Sequence, residues 1–540
     1  MIRWGYLKRV LAGAIFGLYM AHLLYFLNPQ VDITIARLAT VTLVYGITCG
    51  LLFGSILWGL RGLRVWLFGK PETYRTHGFG FVVCAAFVSS FIYWMHLRLL
   101  EGYLPVGALR ILSKATNVLT VTAFILLALW VLERNADRRR SRAIFTAGVL
   151  LIAVSSVFLY QRRESYRTER KEVVVANIGA VGERQQVILI AIRNLPYDWI
   201  VTMKGEGLLP FFETATERAY FARVEPFPTT SPKSLWASLA TGKLPYRHRV
   251  TGRFSYRTPL NRAEPFLLLP YGVGFRAWGL IPPVERISAP LPSGEALPLW
   301  TLFRRLLLSA EVFRWPSVGT RVAHATFVPP VVAARFNAAG PAKATVVAAL
   351  SSDLAALEAL EADARGALSA AGIEGFSVAQ RAVRVYLNEL PPRGTVKGDV
   401  VRAYAQRLDQ ALSRIEREHP DHLLIVCSPS AVVPKALPAN IGVLVTNSLR
   451  RDEPGADDGF VLVTGENTAH REHPAAASVV DIVPTVLFGA GLPIARDMDG
   501  RILYDAFADE LLRSSTVTAI QTYEAERVEV RRTERRRPGG

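Results

Sequence analysis

Cysteine is scarce in this chain: three in 540 residues, with no pair at zinc-type or redox spacing. A disulfide framework, a zinc ribbon and a thioredoxin-type centre are thereby excluded. Charge is missing just as conspicuously from five stretches, residues 10–27, 38–60, 79–95, 115–132 and 143–160. Within them His22 is the one side chain that titrates near neutral pH. Cys49 and Cys84 lie inside these runs, and Cys427 lies in a strand-like segment. No small-residue cleavage site follows the first run before Asn28-Pro29, so a removable signal peptide does not explain it. Internal repeats and extended low-complexity tracts are also absent.

What is present begins with the length of those five runs. At 1.5 Å per residue, each comes close to spanning a hydrocarbon core of ~30 Å as a helix. A core helix of a soluble domain normally keeps a polar face, and these runs have none. The expectation is a membrane domain over residues 1–160. Its short basic segments set the orientation. Arg3, Lys8, Arg9, Arg61, Arg64, Lys70, Arg75, Arg134, Arg138, Arg139, Arg140 and Arg142 fall on one side, against Arg37, Arg98, Arg110 and Lys114 on the other. Twelve against four predicts an N-terminus inside and everything after Tyr160 outside, which in a Gram-negative cell is the periplasm.

The net charge of +18 follows the same geography. Residues 1–171 hold 21 Lys/Arg against 7 Asp/Glu, which leaves only about +4 for the remainder. The basicity is therefore juxtamembrane charge facing lipid headgroups, and nucleic acid is not expected as a partner. Residues 507–540 read as a basic tail, solvated or lipid-facing, with Arg531, Arg532, Arg535, Arg536 and Arg537.

Residues 161–186 are polar and read as a connector. The aliphatic run at 187–192 then reads as a strand buried on both faces of a parallel sheet. Similar runs recur at 423–427, 441–445 and 460–463, with a rougher one at 383–387 that Arg384 interrupts. Helical patterns at 231–241, 297–309, 344–371, 398–418 and 477–491 separate them; 344–371 suggests a surface helix pair. Such alternation predicts an α/β/α doubly wound domain over residues 187–506. Residues 250–296 read as an insertion of loops and short strands.

Two blocks carry a family resemblance. The first is Thr229-Thr230-Ser231-Pro232, then Leu235-Trp236-Ala237-Ser238-Leu239-Ala240-Thr241-Gly242-Lys243-Leu244-Pro245 and His248. The second is residues 477–487, then Gly491-Leu492-Pro493 and Asp497-Met498-Asp499-Gly500-Arg501. In this order they resemble the type I phosphodiesterase/nucleotide pyrophosphatase branch of the alkaline phosphatase superfamily, which is sulfatase-like. The layout also resembles lipoteichoic-acid synthases and lipid A phosphoethanolamine transferases. The resemblance implies two divalent metals, usually zinc, that stabilise the attacking and leaving oxygens of a phosphoryl or sulfuryl displacement.

The ligand slots that the resemblance implies are not filled by ligands. The Asp expected after the first strand is replaced by Arg193-Asn194. The pair expected after 383–387 is replaced by Asn388-Glu389-Leu390-Pro391. Ser428-Pro429-Ser430-Ala431 stands in place of Ser-Asp-His-Gly, so Pro429 and Ser430 occupy two slots. Leu449-Arg450-Arg451-Asp452 offers no last His. The nucleophile slot falls on Pro232, with Thr230 and Ser231 beside it, where their hydroxyls also suit a helix N-cap. His470 and His473, His419 and His422, and His248 read as loop residues. No metal or other cofactor is expected.

These readings leave two functions open. One is a pseudoenzyme with a binding or scaffolding role at the envelope, its partners the bilayer, a phospholipid headgroup or envelope glycan, or other envelope proteins. Arg193, Asn194, Thr230 and Ser231 would then supply an anion site at a helix N-terminus; alternatively, Arg193 pairs with a nearby carboxylate and the cleft is filled. The other is a divergent membrane-bound phosphodiesterase or phosphoryl-group transferase acting on lipid or envelope glycan.

Overall fold

The computed structural model describes residues 2–29, 34–68, 78–100, 106–134, 136–163, 173–178, 185–225, 232–248, 250, 254–257, 285–288, 296–316, 341–385, 390–429, 458–515 and 517–532. The chain divides into two compact units. The first is built mainly on α1 (Ile2–Leu27), α2 (Ile35–Phe68), α3 (Gly78–Leu100), α4 (Val106–Arg134) and α5 (Arg138–Arg163). Each of the five apolar runs lies inside one of these helices. Among the described residues two segments, Leu109–Glu133 and Arg139–Arg163, are long and apolar enough to cross a membrane.

Close packing in this unit comes from small residues. Gly46, Gly50 and Gly54, spaced one helical turn apart on α2, face Leu18, Ala14 and Val10 of α1; a Cβ on Gly50 would sit 2.8 Å from the Val10 carbonyl oxygen. A buried hydroxyl line, Tyr19 to Thr122 (3.5 Å) to Ser155 (3.2 Å), joins α1, α4 and α5. At the end of α5 the buried Arg163 donates from Nε to Tyr25 O and from Nη2 to Pro29 O, both 3.1 Å, which satisfies carbonyls at the end of α1.

The second unit is α/β. Its elements in chain order are β1 (Val173–Ile178), β2 (Val187–Ile192), α6 (Tyr197–Gly205), α7 (Pro210–Arg218), β3 (Tyr220–Glu225), α8 (Pro232–Thr241) and α9 (Pro245–His248). An antiparallel pair, β4 (Phe254–Arg257) with β5 (Glu285–Ser288), follows in sequence and belongs to the first unit. The second unit resumes with α10 (Leu299–Arg305), β6 (Ala310–Phe313), α11 (Pro341–Asp363), β7 (Leu368–Ile373), α12 (Gly375–Ala382), α13 (Val396–Glu418), β8 (Leu423–Ser428) and β9 (Gly459–Thr464). It closes with β10 (Ala477–Ser478), α14 (Ile482–Gly489), β11 (Ile494–Ala495), α15 (Asp509–Ser514), β12 (Ala519–Ile520) and β13 (Arg527–Arg532).

Seven strands form one sheet in the order β10-β3-β9-β8-β2-β7-β6. Neighbours are parallel except β9, which runs against both β3 and β8. Every residue of β2, β7, β8 and β9 is buried, so both faces of the sheet's centre are covered. Ile188, Ile190 and Ile192 of β2 join Trp199, Phe212, Phe376, Tyr404 and Leu408 in one apolar cluster under α6, α7, α12 and α13. Buried carboxylates start two helices. Asp409 accepts from Phe211 N and Phe212 N at 3.1 Å at the start of α7. Asp353 accepts from Gly375 N and Phe376 N at 2.9 Å at the start of α12.

Four expectations from sequence are corrected. The helix over 344–371 ends at Asp363, and 368–373 is strand β7, between β2 and β6. Its Ala, Ser and Gly residues look helical but let neighbours approach: a Cβ on Gly372 would sit 2.6 Å from Pro316 Cδ. The strand over 383–387 is not formed at its start. Residues 383–385 turn out of α12 with Arg384 at φ 56°, and 386–389 lie outside the described residues. The helix over 477–491 begins as β10 and a single 3₁₀ turn at Val479–Asp481. The segments read as a polar connector and a basic tail each contribute a strand: β1 and β13 pair in parallel from Val173↔Arg527 to Ile178↔Arg532, which draws Arg531 and Arg532 into a strand. The strand expected at 441–445 lies outside the described residues.

Candidate functional site

Parallel strands β2, β7, β8 and β6 end on one edge of the sheet, where α/β domains place their ligands. Directly after β2 the chain turns sharply, with Asn194 in the left-handed region at φ 61°, a conformation that asparagine tolerates. Four bonds fix the turn. Arg193 N donates to Ile373 O (2.9 Å), Asn194 Nδ2 to Ser377 Oγ (3.1 Å), Gln380 Nε2 to Asn194 O (2.8 Å) and Leu195 N to Ser428 Oγ (3.1 Å).

The Arg193 side chain does not reach into open solvent. Its Nη1 lies 3.0 Å from Oε1 of Glu374, the residue that follows β7 and precedes α12. The guanidinium is 15% exposed and the carboxylate 38%. Burial lowers the Arg193 pKa from its ordinary value, Glu374 opposes that shift, and the like charge of Arg381 adds to it. Next to this pair, Asp353 is buried beneath α12. It accepts from Tyr404 OH at 2.8 Å and stands 3.6 Å from Arg314, which follows β6 with φ 51°. Burial pushes the Asp353 carboxyl up to about 6, only partly offset by these donors.

The edge thus brings together Arg193 and Asn194 as expected, with Ser428 and Pro429 at the end of β8. Thr230, Ser231 and Ser430 lie outside the described residues. Glu374 was not foreseen, because the strand before it read as helix. A two-metal centre needs several carboxylates and imidazoles. Among the described residues the strand ends supply a guanidinium, a carboxamide, hydroxyls and a single carboxylate already committed to Arg193. This donor set does not fit a pair of divalent metals; Asn388, Glu389 and residues 449–452 lie outside the described residues. Among the described residues no three His, Cys, Asp or Glu side chains gather into a metal-binding group.

The two motif blocks meet each other, and what they build is a joint. Lys243, 3% exposed, donates from Nζ to Asp497 Oδ2 and Glu524 Oε2, both at 2.8 Å. Leu244 N donates to Asp499 Oδ2 (2.8 Å), Arg247 Nε to Asp499 Oδ1 (2.9 Å) and Asp499 N to Gly242 O (3.1 Å). Gly242 needs its φ of 65°, and a Cβ there would press on Val483 at 2.9 Å. Asp481 closes the joint by accepting from Ser478 N and Arg501 N, each at 2.8 Å.

Ser238 and His248 look like a nucleophile and its base, with Oγ and Nε2 2.8 Å apart. The polarity is wrong for that role. His248 Nδ1 accepts from Val250 N at 3.1 Å, so the proton sits on Nε2 and is donated to Ser238. Burial pushes the imidazole down to about 3, so it stays neutral near pH 7. Three further histidines are bound to backbone: His419 Nε2 to Glu361 O (2.9 Å), His422 Nε2 to Ala364 O (3.1 Å) and His470 Nδ1 to Ala219 O (3.4 Å).

No family model and no curated protein matches the chain. Its neighbours among solved structures are sulfatases and phosphodiesterases at low identity. A 2-O GAG sulfatase is 10% identical with a TM-score of 0.38, over 59% of this chain and 73% of that one. A phosphonate monoester hydrolase from Silicibacter pomeroyi is 13% identical with a TM-score of 0.35, over 59% and 76%. Murine ectonucleotide pyrophosphatase/phosphodiesterase 5 is 12% identical with a TM-score of 0.35, over 57% and 95%. Likeness of this degree carries no argument about chemistry.

Proposed function

We propose that the chain is a membrane-anchored, catalytically inactive member of the alkaline phosphatase superfamily, a pseudoenzyme that binds or scaffolds at a bacterial cell envelope. Five helices anchor it, its N-terminus is cytoplasmic, and the α/β unit is presented on the far side of the inner membrane. Two helices apolar enough to span, and the twelve-to-four distribution of basic residues, support this placement. The observation that carries the loss of activity is the Arg193–Glu374 ion pair: a cation and its own counter-ion stand where the resemblance places a metal ligand. The edge keeps donors for an anionic headgroup or glycan in Arg193 and Asn194, with Thr230 and Ser231 beside α8 in sequence; a ligand there would take the place of Glu374 on Arg193.

Metal content and turnover of the purified full-length protein test this reading. The expected result is neither stoichiometric metal nor hydrolysis of aryl phosphodiesters or sulfate esters. Stoichiometric zinc or manganese, with turnover abolished by Thr230→Ala or Ser231→Ala, would replace it with a divergent phosphodiesterase or transferase.

A further inference from the structure

The β1–β13 pair is a two-stranded parallel sheet, and its two faces differ. On one, Val174 and Ala176 are buried. On the other, Val173 and Val175 remain 48% and 37% exposed. In-register partners share a face, so these valines stand beside Arg527 and Glu529, with Asn177 beside Arg531. Parallel sheets are ordinarily covered on both sides. This one presents apolar side chains flanked by exposed arginines, the composition of a surface that rests at a headgroup boundary. The sequence beyond it continues Thr533-Glu534-Arg535-Arg536-Arg537.

Chain connectivity argues for which surface covers it. Nine residues separate Arg163, the last of α5, from Val173, the first of β1. Such a leash reaches about 35 Å at full extension. We infer that the Val173/Val175/Arg527/Arg531 face docks on anionic phospholipid headgroups of the membrane that α5 crosses. The inference rests on the membrane reading proposed above. It adds a second, electrostatic attachment through a sheet separate from the one that carries the candidate cleft.

Hydrogen exchange of Val173–Ile178 and Arg527–Arg532 tests it, using the full-length protein in nanodiscs of phosphatidylcholine alone or mixed with phosphatidylglycerol. Exchange is expected to slow about fivefold on the anionic bilayer, the attraction of Arg527 and Arg531 less the repulsion of Glu529 on the same face, and to recover at high salt. The double variant Arg527→Glu/Arg531→Glu is expected to lose the difference while keeping the strand pair's exchange on phosphatidylcholine. Equal exchange on both bilayers would overturn the inference, as would protection that survives the double variant. Equal protection by heparin on a neutral bilayer would assign the face to a soluble polyanion instead. Failure of the membrane reading itself is distinct: the chain would then be released from membranes by carbonate extraction.

Discussion

Arg193 and Glu374 face each other across the ends of two adjacent parallel strands, their charged atoms 3.0 Å apart. The pair joins the turn after β2 to the start of α12, and its members differ in burial. Glu374→Ala strands the more buried partner and is expected to cost about 3–5 kcal/mol. Arg193→Ala frees a carboxylate that water can reach, and is expected to cost about 1–3 kcal/mol. Thermal unfolding of the intact protein in detergent checks the order, and a double variant no worse than Glu374→Ala would confirm the coupling.

Lys243 holds two carboxylates from two later segments of the chain, Asp497 and Glu524. Lys243→Met leaves both without their cation and is expected to destabilise the α/β unit by about 3–5 kcal/mol. Adding Glu524→Gln should recover part of that loss, because one buried negative charge is removed. No recovery in the double variant would mean that the lysine stem, and not its charge, carries the effect.

Two opposite pH dependences are built into the same unit. Burial holds His248 down to about 3, so its contribution is complete above the ordinary histidine value of 6.5 and is lost as pH falls towards 3. Burial raises Asp353 and Asp409 to about 6 from 3.8, so the folded state holds those protons more tightly. Their contribution is complete below 3.8 and is lost as pH rises through 6. His248→Gln is therefore expected to flatten the acid side of a stability-versus-pH curve. Asp353→Asn and Asp409→Asn should flatten the decline between about pH 4 and 6. Unchanged slopes would contradict the assignment.

Gly50 lets α2 approach α1 to backbone distance. Gly50→Leu would drive a side chain into the Val10 carbonyl and is expected to part the two helices. The double variant Tyr6→Cys/Ser55→Cys, whose parent hydroxyls lie 3.2 Å apart, should be bridged by a short bis-maleimide, which replaces the length of the lost tyrosine ring, and should not be bridged in the Gly50→Leu background. Equal crosslinking in both would refute the seam.

The most legible parts of this fold are those where one signal dominates a whole element. Uninterrupted apolar runs gave away the N-terminal helices, and the mostly apolar β2, β8 and β9 could be read directly. β7 could not, because Leu-Ser-Ala-Ala-Gly-Ile is rich in helix formers and becomes a strand only through its neighbours β2 and β6. β1 and β13 were hidden for a different reason: each is the other's pairing partner, far away in sequence. At the candidate site Arg193 was legible as a cation in an acid's slot. Its partner Glu374 was not, since finding it required β7. The motif blocks stand out in the sequence, while their mutual grip through Lys243, Asp499 and Asp481 emerges only in three dimensions.

The pairing of β1 with β13 also orders events in time. Val173 is synthesised some 350 residues before Arg527, and among the described residues β1 has no other strand beside it. At typical elongation rates β1 waits roughly 20–70 s for its partner. During that interval β1 is an unpaired valine-rich edge, open to mispairing with other chains. The α/β unit therefore cannot finish folding from its N-terminal end as it emerges. Its earliest strand is among the last to be sealed, and holding it safe until then is a task for whatever attends the emerging chain.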